Sequence, residues 1–303
     1  MDARQLEYFL AIVDNGGFGR AAKQLLIAQP SLSQAMAGLE RELGVALFHR
    51  IGRGVTVSEA GRELVGPARQ VLRDLQAAHA TVESLKGLLR GRVEVATMPS
   101  PAISPLSTLT RLFTEQHPGV TVSTQAAFTT DEVVGMVRGG TCELGLAGSA
   151  APLRHPGIDV LAVEEQSHVL VGAAERPFPE GDPVQSAALA GARLIVSQPG
   201  SLMRRIADDI AADGIPITIA VEVAHRTSIL ALVLEGVGLA VLPSAWAPLA
   251  RRAGARVAAI DIPVRLHISL ISRAAPLTPA AAAFLAVTRS YAGDIGGTYR
   301  QDR

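Results

Sequence analysis

Apolar positions at the start of the chain recur at helical spacing. Leu6, Phe9, Leu10 and Val13 fall three and four residues apart, with Tyr8 and Ile12 widening the stripe, which predicts an amphipathic helix over residues 4–14. Asn15-Gly16-Gly17 ends it. A second short helix is expected from Phe18 to about Leu26, with Ala21, Ala22 and Leu25 inward and the small alanines allowing close crossing by another helix. After Ile27-Ala28-Gln29, Pro30 suits a first helical position, and Leu32, Ala35, Met36, Leu39 and Leu43 carry a third stripe. Two short helices, a tight connection and a longer helix make a helix-turn-helix plan. The pattern then becomes strand-like: residues 45–50 and 55–57 flank Ile51-Gly52-Arg53-Gly54, which predicts a hairpin wing.

From Ser58, a plausible N-cap, the pattern is helical to about Leu89. Leu64, Ala68, Val71, Leu75, Ala78, Val82, Leu85 and Leu89 alternate spacings of four and three, a heptad seam that suits pairing with another helix. Some thirty residues span about 45 Å. Pro67 is expected to kink the helix near its start. An intramolecular partner is one reading, but no other segment has a matching seam, so a homodimer coiled coil is expected.

Past Arg90-Gly91 strands and helices alternate. Strands are expected at 93–97, 120–125, 144–147, 158–163, 169–171, 194–196, 217–223, 239–242 and 266–271. Helices are expected at 102–115, 131–138, 202–212, 228–235 and 279–291. Repeated strand-helix units imply an α/β fold with mainly parallel sheets covered by helices on both faces. Ligands in such sheets bind where strand C-termini meet helix N-termini. That places Ser100, Thr129, Thr130, Ser149, Ser201, His225, Arg226 and Thr227 as candidate ligand contacts. Hydroxyls and free N–H groups there favour anions, although the same residues serve equally as helix caps.

The solvent face of the third helix offers Gln29, Pro30, Ser31, Ser33, Gln34 and Ala37, short groups suited to base edges and phosphates in a major groove. Arg20 and Lys23 on the second helix, with Arg50 and Arg53 in the wing, are the cationic candidates for phosphates or a minor groove. Charge as a whole adds nothing: 28 Lys and Arg balance 28 Asp and Glu, and residues 1–60 carry six of each. Any claim on nucleic acid must therefore come from where charges sit.

Catalytic chemistry finds little footing. There is no Gly-x-x-x-x-Gly-Lys loop or Gly-x-Ser-x-Gly elbow, and Gly236-Val237-Gly238 reads as a helix end. The seven histidines (49, 79, 117, 155, 168, 225 and 267) include no pair at ligand spacing, so no metal or cofactor is expected. Cys142, the single cysteine, reads as a buried inert thiol, and Trp246 as packing. No apolar run reaches membrane-spanning length and the N-terminus lacks an export pattern, so a cytoplasmic protein is expected.

One ordered run goes further. Leu6, Tyr8-Phe9, Gly17-Phe18, Ala21-Ala22, Leu25, Ala28-Gln29-Pro30-Ser31-Leu32-Ser33 and Leu39-Glu40 are followed by Leu43-Gly44, Leu47-Phe48, Arg50, Val57-Ser58 and Glu59-Ala60-Gly61. This run resembles the LysR-type transcriptional regulator family. The resemblance implies a winged helix-turn-helix DNA-binding domain (1–58), a dimerisation helix (59–90) and an effector-binding domain (91–303). The last would be two-lobed and similar to periplasmic solute-binding proteins, with lobe I at 91–162 and 268–303 and lobe II at 163–267. It also implies promoter or operator DNA, a small-molecule effector and a homodimer or homotetramer, and it sets Ser100, Thr129, Ser149 and Ser201 at cleft positions. Two departures stand out: Gly19 replaces a helix-capping Ser or Thr, and Ala37-Gly38 stands where a basic residue is common. Both imply weaker phosphate anchoring. His225-Arg226 is less usual in the cleft and suits either a negatively charged effector or, equally, a surface Arg with a capping His. The alternative is a cytoplasmic small-molecule-binding protein or enzyme with a vestigial helix-turn-helix.

Overall fold

Asp2 starts the first helix. Its Oδ1 accepts from the Gln5 N–H at 2.8 Å while Gln5 Oε1 accepts from the Asp2 N–H at 2.9 Å, a reciprocal capping box. Helix α1 (Ala3–Asn15) stops at Gly16, whose φ of 61° lies where glycine is at ease. Helices α2 (Phe18–Gln24) and α3 (Gln29–Leu43) follow, with Pro30 one residue inside α3 rather than at its first position. Leu6, Phe9, Ala21, Ala22, Leu32, Met36 and Leu39 are buried together. Leu43 is exposed, not part of the inward stripe, because α3 ends there against Gly44. The computed structural model describes residues 1–51, 54–84 and 91–301.

Strands β1 (Phe48–Ile51) and β2 (Gly54–Val57) pair antiparallel, Phe48 opposite Val57. The first strand starts later than the pattern predicts, since Val45, Ala46 and Leu47 stay outside it. The Phe48 ring anchors it, 5.6 Å from Phe9 and 5.5 Å from Phe18 between centroids. Ser58 then caps α4 (Glu59–Ser84), accepting from the Gly61 N–H at 2.9 Å and donating to the Ala46 carbonyl at 2.7 Å. A Cβ at Gly61 would collide with the Leu47 carbonyl and Val57, so glycine lets α4 and the wing meet.

The apolar seam of α4 divides. Ala68 is buried and Leu64 half-buried in the helix-turn-helix core, whereas Val71, Leu75 and Val82 are 41%, 44% and 57% exposed. Leu85 and Leu89 lie outside the described residues.

The remaining chain runs β3 (Gly91–Thr97), α5 (Pro99–Ile103), α6 (Leu106–Gln116), β4 (Val120–Ala126), α7 (Thr130–Arg138), β5 (Leu144–Ser149) and β6 (Ile158–Gln166). It continues through β7 (His168–Gly172), β8 (Val184–Gln185), β9 (Arg193–Ser197), α8 (Leu202–Ala212), β10 (Thr218–Val223), α9 (Thr227–Leu234) and β11 (Ala240–Pro243). It closes with α10 (Ala247–Arg252), β12 (Arg256–Asp261), β13 (Leu266–Arg273) and α11 (Pro279–Gln301). The first sheet has the order β4-β3-β5-β13-β6, and the second β11-β7-β12-β8, with β9 and β10 as a parallel pair beside it.

The sheets are mixed, which corrects the expectation of mainly parallel ones. β3 is parallel to β4 and β5, but β13 runs antiparallel to β5 and β6. β7 likewise opposes β11 and β12. The chain passes between the lobes through β6–β7 and returns through β12–β13, and a strand arriving from the other lobe enters its sheet from the opposite end. The single helix expected at 102–115 is two, because Pro105 has no N–H to continue the first. Phe113 stacks against Phe284 at 5.2 Å in the first lobe's core, and Trp246 packs with Val171 and Leu242 in the second. Among the described residues no helix is long and apolar enough to cross a membrane.

Candidate functional sites

The outward face of α3 exposes Gln29, Pro30, Ser31, Gln34 and Ala37, with Ser33 half-buried. Lys23 on α2 is exposed as well. Arg20 is otherwise engaged: its Nη2 donates to the Gly16 carbonyl at 2.7 Å and its Nε to the Asn15 carbonyl. A cation at the end of α1 is favoured by the helix dipole, so this arginine holds the α1–α2 corner. Arg50 belongs to β1, its side chain outside the described part, and Arg53 lies outside the described residues. At Gly19 a Cβ would sit 3.5 Å from Gln29 Oε1, an ordinary contact, so the site has room for the serine it lacks.

Two neighbours escaped the sequence reading. Glu40 Oε1 accepts from the Leu47 N–H at 2.7 Å and the Phe48 N–H at 3.2 Å, tying α3 to the wing. Arg62 Nη1 donates to the Val57 carbonyl at 3.1 Å, which sets a second cation beside β2. The sequence shows both as polar surface residues; their partners come only from the fold.

In the other half, a cavity of about 300 Å³ opens between the lobes. Ser100, Thr129, Thr130 and Ser149 line it from one side, Ser201 and Arg226 from the other. His225 and Thr227 are exposed and off its wall, and the His225 carbonyl accepts from Ser228 Oγ at 2.6 Å. Most of the hydroxyls already serve the fold. Thr129 caps α7 through the Glu132 N–H at 3.2 Å, and Ser201 caps α8 through the Arg204 N–H at 3.1 Å. Thr130 donates to the Gly148 carbonyl at 3.1 Å, and Ser149 to that of Ala151 at 2.6 Å. Ser100 is only 3% exposed, and its hydroxyl makes no hydrogen bond among the described residues.

Arg226 is half-buried, and burial pulls its guanidinium below its ordinary range. Among the described residues it has no carboxylate partner, and no Asp or Glu lines the cavity. The sequence places the Met98 and Phe128 loops here but does not mark Arg205, one helical turn after Ser201, or the apolar lining from Met203 and Leu266. Larger hollows, about 1080 Å³ along β6 and β13 and about 480 Å³ beside Phe178, do not gather both lobes' loops.

This order of parts is matched by two family models. Residues 3–62 match "Bacterial regulatory helix-turn-helix protein, lysR family", and residues 86–293 match "LysR substrate binding domain". The chain belongs to the LysR family. It is a LysR-type transcriptional regulator, with a DNA-binding helix-turn-helix and an effector-binding domain. It is similar to the nitrogen assimilation regulatory protein nac of Klebsiella aerogenes, at 32% identity over 93% of this chain and 92% of that one. It also resembles the crystal structure of CbnR, a LysR family transcriptional regulator, with a TM-score of 0.70 and 29% identity over 96% of this chain and 99% of that one. Full-length CbnR complexed with its target DNA aligns at a TM-score of 0.69 and 29% identity, covering 96% and 100%.

In this LysR-type regulator the two halves are also joined by arginines on α4. Arg69 Nη2 pairs with Asp14 Oδ1 of α1 at 2.6 Å while its Nη1 donates to Thr141 Oγ1 of the first lobe. Arg73, one turn later, donates to the Gly140 carbonyl. Burial and the nearby Arg273 lower the Arg73 guanidinium to about 10.

Cys142 is buried and free, its thiol pushed up to about 12 by burial, which keeps it protonated and unreactive. His168, 1% exposed, is lowered to about 4 by burial despite a hydrogen bond between Nδ1 and the Val264 carbonyl, so it is neutral at pH 7. Among the described residues no group of His, Cys, Asp and Glu could hold a metal ion.

Proposed function

We propose that this LysR-type regulator senses a small anionic metabolite in the interlobe cavity and reports its presence to promoter or operator DNA. The observation that carries the effector half is a cation without a counter-charge on the wall of a cavity that both lobes build. In the DNA half, α3 enters the major groove and Gln29, Ser31, Ser33 and Gln34 read base edges, flanked by Pro30 and Ala37. Lys23 and the wing arginines Arg50 and Arg53 contact phosphates, and Arg20 does so secondarily to its hold on α1. The structure of CbnR with its target DNA lends this docking support by likeness.

The working division is 1–58 for DNA binding, 59–90 for dimerisation and 91–303 for effector binding, with lobe I at 91–162 and 268–303 and lobe II at 163–267. Exposed Val71, Leu75 and Val82 form the seam on which a second copy pairs, giving a homodimer or homotetramer. Effector binding changes the angle between the lobes, and hence the spacing of the two recognition helices and the bend in the DNA. The protein works in the cytoplasm and performs no catalysis.

The test is a gel shift of full-length protein on the DNA beside its own coding sequence, across a salt series. Specific retention of one fragment, falling steeply with salt, is expected. Retention of no specific fragment, with or without carboxylates, would overturn the reading.

A further inference from the structure

We infer that Arg226 is the specificity-determining residue of the interlobe cavity, and that it selects a small organic carboxylate with a compact apolar body. This rests on the cavity's being the effector site.

Three features make Arg226 costly to the fold on its own. It stands at the N-cap of α9, where the positive end of the helix dipole repels a cation. It is half-buried, and its own side chain makes no capping hydrogen bond. Among the described residues nothing negative compensates: the cavity wall carries Arg205 and Arg226 but no Asp or Glu. Burial lowers its guanidinium with no opposing charge to raise it. A residue that opposes folding in this way fits a functional site, where an incoming anion supplies the missing charge.

The rest of the wall specifies the anion. Met98, Pro101, Met203 and Leu266 present hydrocarbon and thioether surface. Inorganic phosphate or sulfate would leave that surface unfilled, whereas a carboxylate on a short branched or ring-shaped body fills it and directs its oxygens to the guanidinium fork. Ser100, buried and with no hydrogen bond from its hydroxyl among the described residues, adds one donor from the facing lobe. At about 300 Å³ the cavity lies at the small end of ligand pockets, which suits a small anion better than a nucleotide.

The experiment is a thermal-shift series on the full-length protein with 4-methylpentanoate and benzoate, each beside its primary amide, and with inorganic phosphate. Wild type should be stabilised by the carboxylates and not by the amides. Arg226→Gln should melt about 2–4 °C higher than wild type without ligand, because one desolvated charge is removed. It should also weaken carboxylate binding about 10- to 100-fold, in line with loss of a charge-assisted pair. Arg226→Lys should recover part of that binding, and Arg154→Gln, at an exposed loop position away from the cavity, should behave as wild type. Circular dichroism verifies that each variant is folded.

Equal stabilisation by acid and amide would overturn the inference, as would a larger shift with phosphate. So would an Arg226→Gln protein, folded by circular dichroism, that keeps wild-type carboxylate shifts. Absence of any shift in wild type overturns it too, and if the gel shift still retains a specific fragment the regulator reading survives. Carboxylate shifts that depend on Arg226 uphold the inference even where the gel shift fails, in which case the regulator reading alone falls.

Discussion

In the helix-turn-helix, Arg20 turns its guanidinium back onto the carbonyls that end α1, and residues 29–39 of α3 include no Lys or Arg. In the cleft, Arg226 is half-buried with no carboxylate beside it among the described residues. One surface meets a polyanion with few free cations among the described residues, while the other holds the cation that the proposed anionic effector would pair with. The contrast shows why net charge, zero for the chain, says so little here. A duplex offers many phosphates, so a weakly charged module can succeed by presenting two copies of itself at once. A small ligand offers one charge, so its partner must be placed singly and kept unpaired.

If pairing carries the DNA affinity, breaking the α4 seam should have the largest effect. Leu75→Glu with Val82→Glu, both at exposed seam positions, should yield monomers in sedimentation and reduce operator binding at least about 100-fold in gel shifts. Unchanged affinity in a proven monomer would refute the contrast.

Acid should separate the two halves next. His168 in the second lobe is held neutral by burial, with a folded pKa of about 4 against an ordinary 6.5. The unfolded chain therefore binds the extra proton between those values, so stability is full above pH 6.5 and falls as pH drops toward 4. The total loss is on the order of 3 kcal/mol. Calorimetry of wild type against a His168→Gln variant from pH 7 to pH 4 should show the steeper decline in wild type.

The smallest effect should come from adding charge where α3 lacks it. Ala37→Lys, exposed on the outward face, should tighten DNA binding several-fold and steepen its salt dependence by about one counterion. An unaltered salt slope would mean that this face does not approach phosphate.

Much of this was legible in the sequence where one element contains its own explanation. Helix α8 runs over the expected residues because its apolar period and its Ser201 cap are both local. Ser100, Thr129, Thr130, Ser149 and Ser201 meet at one cavity because strand ends and helix starts converge by topology. What stayed hidden depended on distant partners. β12 and α10 have too little periodicity of their own to stand out, and the antiparallel sense of β13 follows from a crossing the local pattern does not record. His225 and Arg226 read alike as neighbours, yet only Arg226 reaches the wall. Nothing local marks Glu40, Arg69 or Arg73; their partners Leu47, Asp14 and Gly140 come only with the fold.

Those last two arginines have a mechanical meaning. α4 is 26 residues long, about 39 Å, yet the first lobe grips it at Arg69, roughly ten residues or 15 Å from its root in the wing. A load applied on so short an arm is geared toward rotation. With the wing held fixed, a shift of about 1 Å at the Gly140–Thr141 turn would correspond to about 4° at the root, and would carry the far end of α3, about 22 Å long, through roughly 1.5 Å. That is about half the rise between stacked base pairs, enough to move a side chain on the proposed reading face in or out of register with a base.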